Sequence, residues 1–313
     1  MTFDPRHLSE LRRLITGRVR TDVPLSGLSS FRIGGPADVV AEPRGAEELT
    51  DLLRHLHVNR LGHLFLGAGT NVLFSDKGFR GVVVRLTSVR GFEATENGSA
   101  RKLVSVGAGE PLPLLVSKAA RKGWKGLEKL WGIPGSFGGA ICTNAGALGT
   151  TLGDLLERVE LVTPTGDRVT WERGQLVYGY RSMHIPEGCA VARGTLALTQ
   201  EKPEVLEAEI ERVRARRRAT QPMGTASAGC VFKNPDPERP AGLLIDRLGL
   251  KGLRLGDAQV SEIHGNFIVN RGTATAAEVL ELIEQVRSRV RESEKLDLDL
   301  EVRIIGEEPT HVR

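Results

Sequence analysis

Leu49, Leu52, Leu53 and Leu56 recur at the spacing that lines one face of a helix, so GAEELTDLLRHLHVN predicts an amphipathic helix. Leu8, Leu11, Leu14 and Ile15 predict a shorter helix before it. Between the two, SSFRIGGPADVVAEP places apolar runs on either side of Gly-Gly-Pro and predicts two strands joined by a turn, the second ending at Pro43. HLFLGAGTNVLFSD predicts a buried strand running into a glycine turn, and GVVVRL a further strand. This β-α-β order predicts a small α/β unit closing near Leu86.

A second series follows. KLVSVGAG predicts a strand and PLPLLVSKAARKG a helix introduced by prolines. LLERVELVTPTGDRVTWERG predicts a hairpin turning at Pro164–Asp167, and CAVARGTLALTQ a last strand. Around Glu201–Pro203 the pattern changes to a long charged helix, PEVLEAEIERVRARRRA, which marks a boundary. Beyond it come the helix AAEVLELIEQVRSRVRESE and the segment LDLDLEVRIIG. There Asp297, Asp299 and Glu301 alternate with Leu298, Leu300 and Val302, which predicts a strand. The expected division is 1–86, 87–200 and 201–313.

Composition narrows the class. The 313 residues suffice for two or three small domains, and a formal charge of +4 is too small to point to nucleic acid. The run Arg212–Arg218 has no interleaved aromatic residue and follows Glu207, Glu209 and Glu211, so it predicts a solvated helix face. No apolar run is long enough to span a membrane, and MTFDPRHLSELRRL lacks the apolar core of a signal peptide. Cys142, Cys189 and Cys230 match no zinc or iron–sulfur spacing, and an odd number argues against an oxidised secreted scaffold. His7, His55, His57, His63, His184, His264 and His311 show no ligand spacing on one helix, so no metal is expected. A cytoplasmic protein is expected.

The candidate chemistry begins with glycine. WGIPGSFGGAICTNAGALG, Trp131 to Gly149, holds six glycines and no Lys, Arg, Asp or Glu. Such a segment either cradles an anion on backbone amides or makes a tight structural crossover. FLGAGTNVLFSD puts Gly67, Gly69, Thr70 and Asn71 just past a strand, but Val72 stands where a dinucleotide fingerprint needs its third glycine. Two such turns together would form nests for a pyrophosphate without a fixed lysine. Asn144 is a turn residue or an amide donor to such a group. Arg181, in YGYRSMH, is either a surface arginine or a fork for a carboxylate. In SAGCVFKNP, Cys230 is either an inert turn cysteine or a reactive thiol beside Lys233. Glu301 is either a buried acid paired to Arg303 or part of a solvated edge.

Taken together, SSFRIGGPAD, GAGTNVLFSD, GIPGSFGGAICTNAGALG, YGYRSMH, SAGCVFKNP, AGLLID, HGNFIVN and LEVRIIGE resemble the UDP-N-acetylenolpyruvoylglucosamine reductases, in the family's order from about Leu28 to Glu307. The resemblance implies an α+β fold: an FAD-binding domain of the vanillyl-alcohol-oxidase/PCMH type in two subdomains, followed by an α/β substrate-binding domain. It gives the FAD pyrophosphate to Gly67, Gly69, Thr70, Asn71, Gly135, Ser136, Gly138, Gly139 and Asn144. Arg181, Cys230 and Glu301 match its catalytic set, and Tyr180, Lys233, Asn234, His264 and Arg303 its substrate-lining positions. Two departures stand out: Cys230 where better-known members carry serine, and Met183 where a serine is usual. Only forty-eight residues separate Arg181 from Cys230, as in the shorter subtype.

The resemblance implies reduction of a UDP-sugar enolpyruvyl ether by NADPH through FAD, in peptidoglycan precursor synthesis, by a monomer. Hydride arrives at C3 of the ether; Arg181 and protonated Glu301 stabilise the enol-like charge, and Cys230 protonates C2. A thiol yields its proton more readily than an alcohol, so the role survives the replacement of serine. Two alternatives stay open: another FAD oxidoreductase on the same flavin domain, and a nucleotide-sugar binding module without redox activity.

Overall fold

A computed structural model describes residues 3–95 and 101–306; Glu307 and His311, named above, lie outside the described residues. The chain forms two compact units, neither of them continuous in sequence. The first gathers 1–21, 38–68 and 81–215; the second gathers 22–37, 69–80 and 216–313. This differs from the expected division at residues 86 and 200. Phe31, Ile33 and Leu73 are buried in one apolar cluster with Leu244, Val279 and Leu298, so two early segments belong to the C-terminal core. The charged helix Pro203–Thr220 does not begin a unit: the division falls within it.

In the first unit, the helices Pro5–Leu14 and Ala46–Val58 form as the periodicity predicts. Leu49, Leu52, Leu53 and Leu56 are fully buried, packed with Val82, Val84 and Val162. The strands His63–Leu66 and Phe79–Arg85 pair in parallel, with Leu64 opposite Val83. A larger antiparallel sheet carries the rest, in the order Arg168–Glu172, Leu156–Val162, Ala190–Gln200, Arg101–Gly107, Phe92–Thr95. Its central strand, Ala190–Gln200, pairs on both sides and is almost wholly buried, which suits its run of Ala, Val and Leu. The predicted hairpin is Leu156–Val162 with Arg168–Glu172, closed where Thr163 accepts the Gly166 N–H at 2.9 Å.

The second unit packs the helices Ala241–Arg247 and Ala276–Glu294 with a three-stranded antiparallel sheet, Arg254–Leu255, Ala258–Val260 and Ile268–Asn270. Thr275 and Glu278 form a capping box on the longer helix, and Asp76 accepts the N–H groups of Ala276 and Ala277 at 2.8 and 3.1 Å. The strand Val72–Phe74 pairs in parallel with Arg303–Ile305.

One expected strand is not formed and another is shortened. SSFRIGG follows a 3₁₀ turn, Leu25–Leu28, by irregular backbone, because Arg32 (φ 57°) and Gly34 (φ 136°) break an extended path while Phe31 and Ile33 still reach the core. In LDLDLEVRIIG the alternation holds as exposure, with Leu298 and Val302 buried and Asp297 and Asp299 exposed. Only Arg303–Ile305 is a strand, since Leu300 meets a partner in a single bridge to Phe232.

Candidate active site

Gly67, at the start of one glycine turn, meets Ser136 of the other within the first unit. Gly67 leaves the strand His63–Leu66 and lies against Ser136: a Cβ at Gly67 would sit 2.3 Å from the Ser136 Oγ. Ser136 is buried and caps the short helix Phe137–Cys142, its Oγ accepting a long 3.4 Å bond from the Gly139 N–H. Bare backbone, one hydroxyl and no fixed charge suit a phosphate-bearing group. Other members of the set have internal tasks. The Gly135 carbonyl accepts the Leu112 N–H at 2.9 Å, and the Gly138 N–H donates to Ala108 O at 2.8 Å. A Cβ at Gly138 would come 2.7 Å from that of Ala108, so its glycine is demanded by packing.

Asn144 and Arg181 belong to one network in the same unit. Arg181 and Tyr180 form the tip of a hairpin, Tyr178–Gly179 with Ser182–Met183. Tyr180 is 57% exposed, and the Arg181 guanidinium lies 5.6 Å from its ring centroid. Arg181 has φ 54°, a left-handed conformation that side chains other than Gly and Asn adopt at a cost of about 1–2 kcal/mol. Asn144, only 2% exposed, fastens that tip: its Nδ2 donates to Gly179 O and its Oδ1 accepts the Gly153 N–H, both at 2.8 Å. Arg181 Nη1 donates to Gly146 O at 2.8 Å. Arg173, which sequence reasoning passed over, braces the other side: it donates to Gly153 O and Leu156 O and to the Tyr178 hydroxyl. Met183 is buried in the large-sheet core, so the departure from the family pattern there is a packing residue.

In the second unit the structure brings Cys230, Lys233 and Glu301 together through their backbones. Val231 O accepts the Glu301 N–H at 2.8 Å, and the Lys233 N–H donates to Asp299 O at 2.8 Å. On the other side Cys230 bridges to Phe267, and the Val231 N–H donates to Asn266 O at 2.9 Å. The Asn266 side chain clasps Phe232 at both ends, Oδ1 accepting its N–H and Nδ2 donating to its carbonyl, each at 2.8 Å. HGNFIVN contains this residue, but nothing in a lone Asn signals a clasp to a segment thirty-four positions away.

Lys233 is half-buried, and Asn234 Oδ1 accepts the Ala241 N–H at 3.1 Å, starting the helix Ala241–Arg247. His264 Nδ1 accepts the Asn266 N–H at 3.1 Å, which leaves Nε2 as the donor of the neutral ring. Burial first, then the Lys251 charge, holds His264 below its usual pKa against the pull of Asp246. Arg303 is exposed, and its N–H donates to Asn71 O at 3.0 Å. The Arg212–Arg218 run pairs in part with its own helix, Arg212 with Glu209 and Arg214 with Glu211, while Arg214 stacks 4.7 Å over Trp131. Among the described residues no group of His, Cys, Asp or Glu is placed to hold a metal ion, and no helix is long and apolar enough to cross a membrane.

Residues 37–172 match the family described as an FAD binding domain, and residues 221–305 match the UDP-N-acetylenolpyruvoylglucosamine reductase C-terminal domain. The UDP-N-acetylenolpyruvoylglucosamine reductase of Syntrophus aciditrophicus is 38% identical over 299 residues, 96% of this chain and 96% of its own. That of Synechococcus elongatus is 43% identical over 288 residues, 91% of this chain and 94% of its own. The crystal structure of the enzyme from Thermus caldophilus superposes with a TM-score of 0.79 at 38% identity, covering 93% of this chain and all of that one. The α+β class with a flavin-binding domain therefore stands, and the chain belongs to the UDP-N-acetylenolpyruvoylglucosamine reductase family.

Proposed function

We propose that this protein reduces the enolpyruvyl ether of UDP-N-acetylenolpyruvoylglucosamine to UDP-N-acetylmuramate with NADPH, in the cytoplasm, as a monomer. The observation that carries the reading is the pairing of Val231 O with the Glu301 N–H, which sets a thiol-bearing and an acid-bearing segment side by side in a chain of this family. The bare turn of Gly67 against Ser136 fits a pyrophosphate, so Gly67, Gly69, Thr70, Gly135, Ser136 and Gly139 would hold FAD. FAD, when bound, supplies the two-electron relay between NADPH and the enolpyruvyl double bond.

The chain's own residues supply charge and a proton. As C3 gains hydride, negative charge spreads from C2 into the carboxylate. The Arg181 guanidinium meets that carboxylate, and Glu301 in its acid form donates to the same charge. The Cys230 thiol gives its proton to C2 and is re-protonated from solvent. Tyr180, Lys233, Asn234, His264 and Arg303 bind the sugar nucleotide, His264 as an Nε2–H donor.

An anaerobic two-step titration tests this reading. NADPH should bleach the flavin, and the enolpyruvyl sugar nucleotide should restore its colour with one lactyl ether formed per flavin. A flavin that NADPH bleaches and the sugar nucleotide leaves bleached would refute the substrate assignment.

A further inference from the structure

Resemblance gives Asn71 to the cofactor, yet its side-chain Nδ2 and its carbonyl are committed elsewhere within the second unit. Asn71 Nδ2 donates to Glu301 O at 3.0 Å, and Asn71 O accepts the Arg303 N–H at 3.0 Å. The parallel pairing of Val72–Phe74 with Arg303–Ile305 begins at Val72 opposite Arg303. The Asn71 side-chain amide thus stands in for a main-chain donor and carries the ladder one step past the strand end, to Glu301. The other face of that residue is also held, because the Glu301 N–H donates to Val231 O at 2.8 Å. Both backbone polar groups of Glu301 are therefore fixed, one by the neighbour of Cys230 and one by Asn71.

The turn before Asn71 ties in the Cys230 segment. The Ser30 N–H donates to Gly69 O at 2.9 Å, and the Ser30 hydroxyl donates to Ser227 O at 2.7 Å. Gly69 cannot yield ground, since a Cβ there would sit 2.0 Å from Leu28 O. The turn Gly69–Asn71 is thus bonded toward Ser227 on one side and to Glu301 and Arg303 on the other. We propose that Asn71 is a positioning residue for Glu301, acting through its side-chain amide on the Glu301 peptide. This rests on the function proposed above for Glu301. Of the two atoms at the end of an Asn side chain, only Nδ2 can serve a carbonyl; an Asp would set oxygen against oxygen.

The test uses the FAD-loaded full chain with Asn71→Asp and Asn71→Leu. FAD content and bleaching by NADPH should stay within about twofold of wild type, while reoxidation by the enolpyruvyl sugar nucleotide slows by roughly ten- to a hundredfold. Hydrogen exchange at the Arg303 amide should quicken in both variants. Reoxidation at the wild-type rate, or equal slowing of both half-reactions, would overturn the proposal. Loss of FAD with normal reoxidation per bound flavin would return Asn71 to the cofactor. If one variant does not fold the other decides, and failure of both to fold also counts against a positioning role. Should the wild-type flavin itself not be reoxidised, the functional reading fails, and Arg303 exchange still decides whether Asn71 holds this segment.

Discussion

Arg181 in the first unit stands at a two-residue hairpin tip with left-handed backbone, kept in place by the buried side chain of Asn144. Cys230 and Glu301 in the second unit lie on segments joined mainly by backbone bonds, with Asn266 and Asn71 as side-chain clasps at the margins. One support centres on side-chain bonds around a buried amide; the other is spread along a ladder. A concentrated support lets an arginine occupy a conformation that backbone alone disfavours. A distributed one keeps its backbone bonds when a single clasp is lost.

The largest effect expected is at the residue that gives the proton. Cys230→Ala should keep FAD and bleach normally with NADPH, yet reoxidise about 10²–10⁴-fold more slowly, as loss of a general acid requires. Cys230→Ser should retain most of the rate. A thiol-directed reagent should inactivate the wild type and spare Cys230→Ser, in part because burial holds the Cys189 thiol above its usual pKa. Near-normal turnover in Cys230→Ala, followed by stopped flow, would remove the thiol from the chemistry.

The comparison itself is tested next. Asn266→Leu leaves two buried backbone groups of Phe232 unpaired and should lower stability by about 2–5 kcal/mol in denaturant titrations, while Asn144→Leu strands the buried Gly153 N–H beside an exposed Gly179 carbonyl and should cost about 1–3 kcal/mol. Their kinetics should differ. Asn144→Leu should slow reoxidation beyond what stability explains, because the Arg181 tip loses its clasp, whereas Asn266→Leu should slow it less, since the Val231, Lys233 and Glu301 backbone bonds remain. Equal kinetic losses would break the contrast.

Arg181→Lys keeps charge and loses the fork. Reoxidation should fall about tenfold, with flavin reduction by NADPH little changed. Equal slowing of both would assign the residue to the fold.

The smallest effect is with pH, and it falls in both units. Burial, then the His7 charge, holds His55 below 6.5 against Glu10; burial and Lys251 do the same for His264. Each ring is neutral in the fold, so below pH 6.5 the unfolded chain takes up protons first. Stability is full above pH 6.5 and is lost as pH falls from there through the depressed folded values. The thermal midpoint should drop slightly between pH 7.5 and 5.5, and His55→Gln should drop less; an unchanged pH slope in that variant would exclude His55.

The periodic signals were readable in the chain alone. Leu49, Leu52, Leu53 and Leu56 specify a buried helix face, and the glycines of 132–139 mark a segment of close backbone approach. The eight motifs in order, from SSFRIGGPAD to LEVRIIGE, likewise point to the family before any fold is known. Asn71 and Asn144 were visible as polar residues in glycine turns, which suggested a ligand.

Only the tertiary structure decided what those amides meet. Asn144 reaches Gly179, thirty-five positions on, and Asn71 reaches Glu301, two hundred and thirty positions on. It also decided that 22–37 and 69–80 join the C-terminal core, where Phe31, Ile33 and Leu73 find apolar partners. The reason is physical. Periodicity reports which face of a segment is apolar, because side-chain direction repeats locally along a helix or strand. A hydrogen-bond partner across the fold depends on which distant segment packs there, and no local repeat encodes that choice.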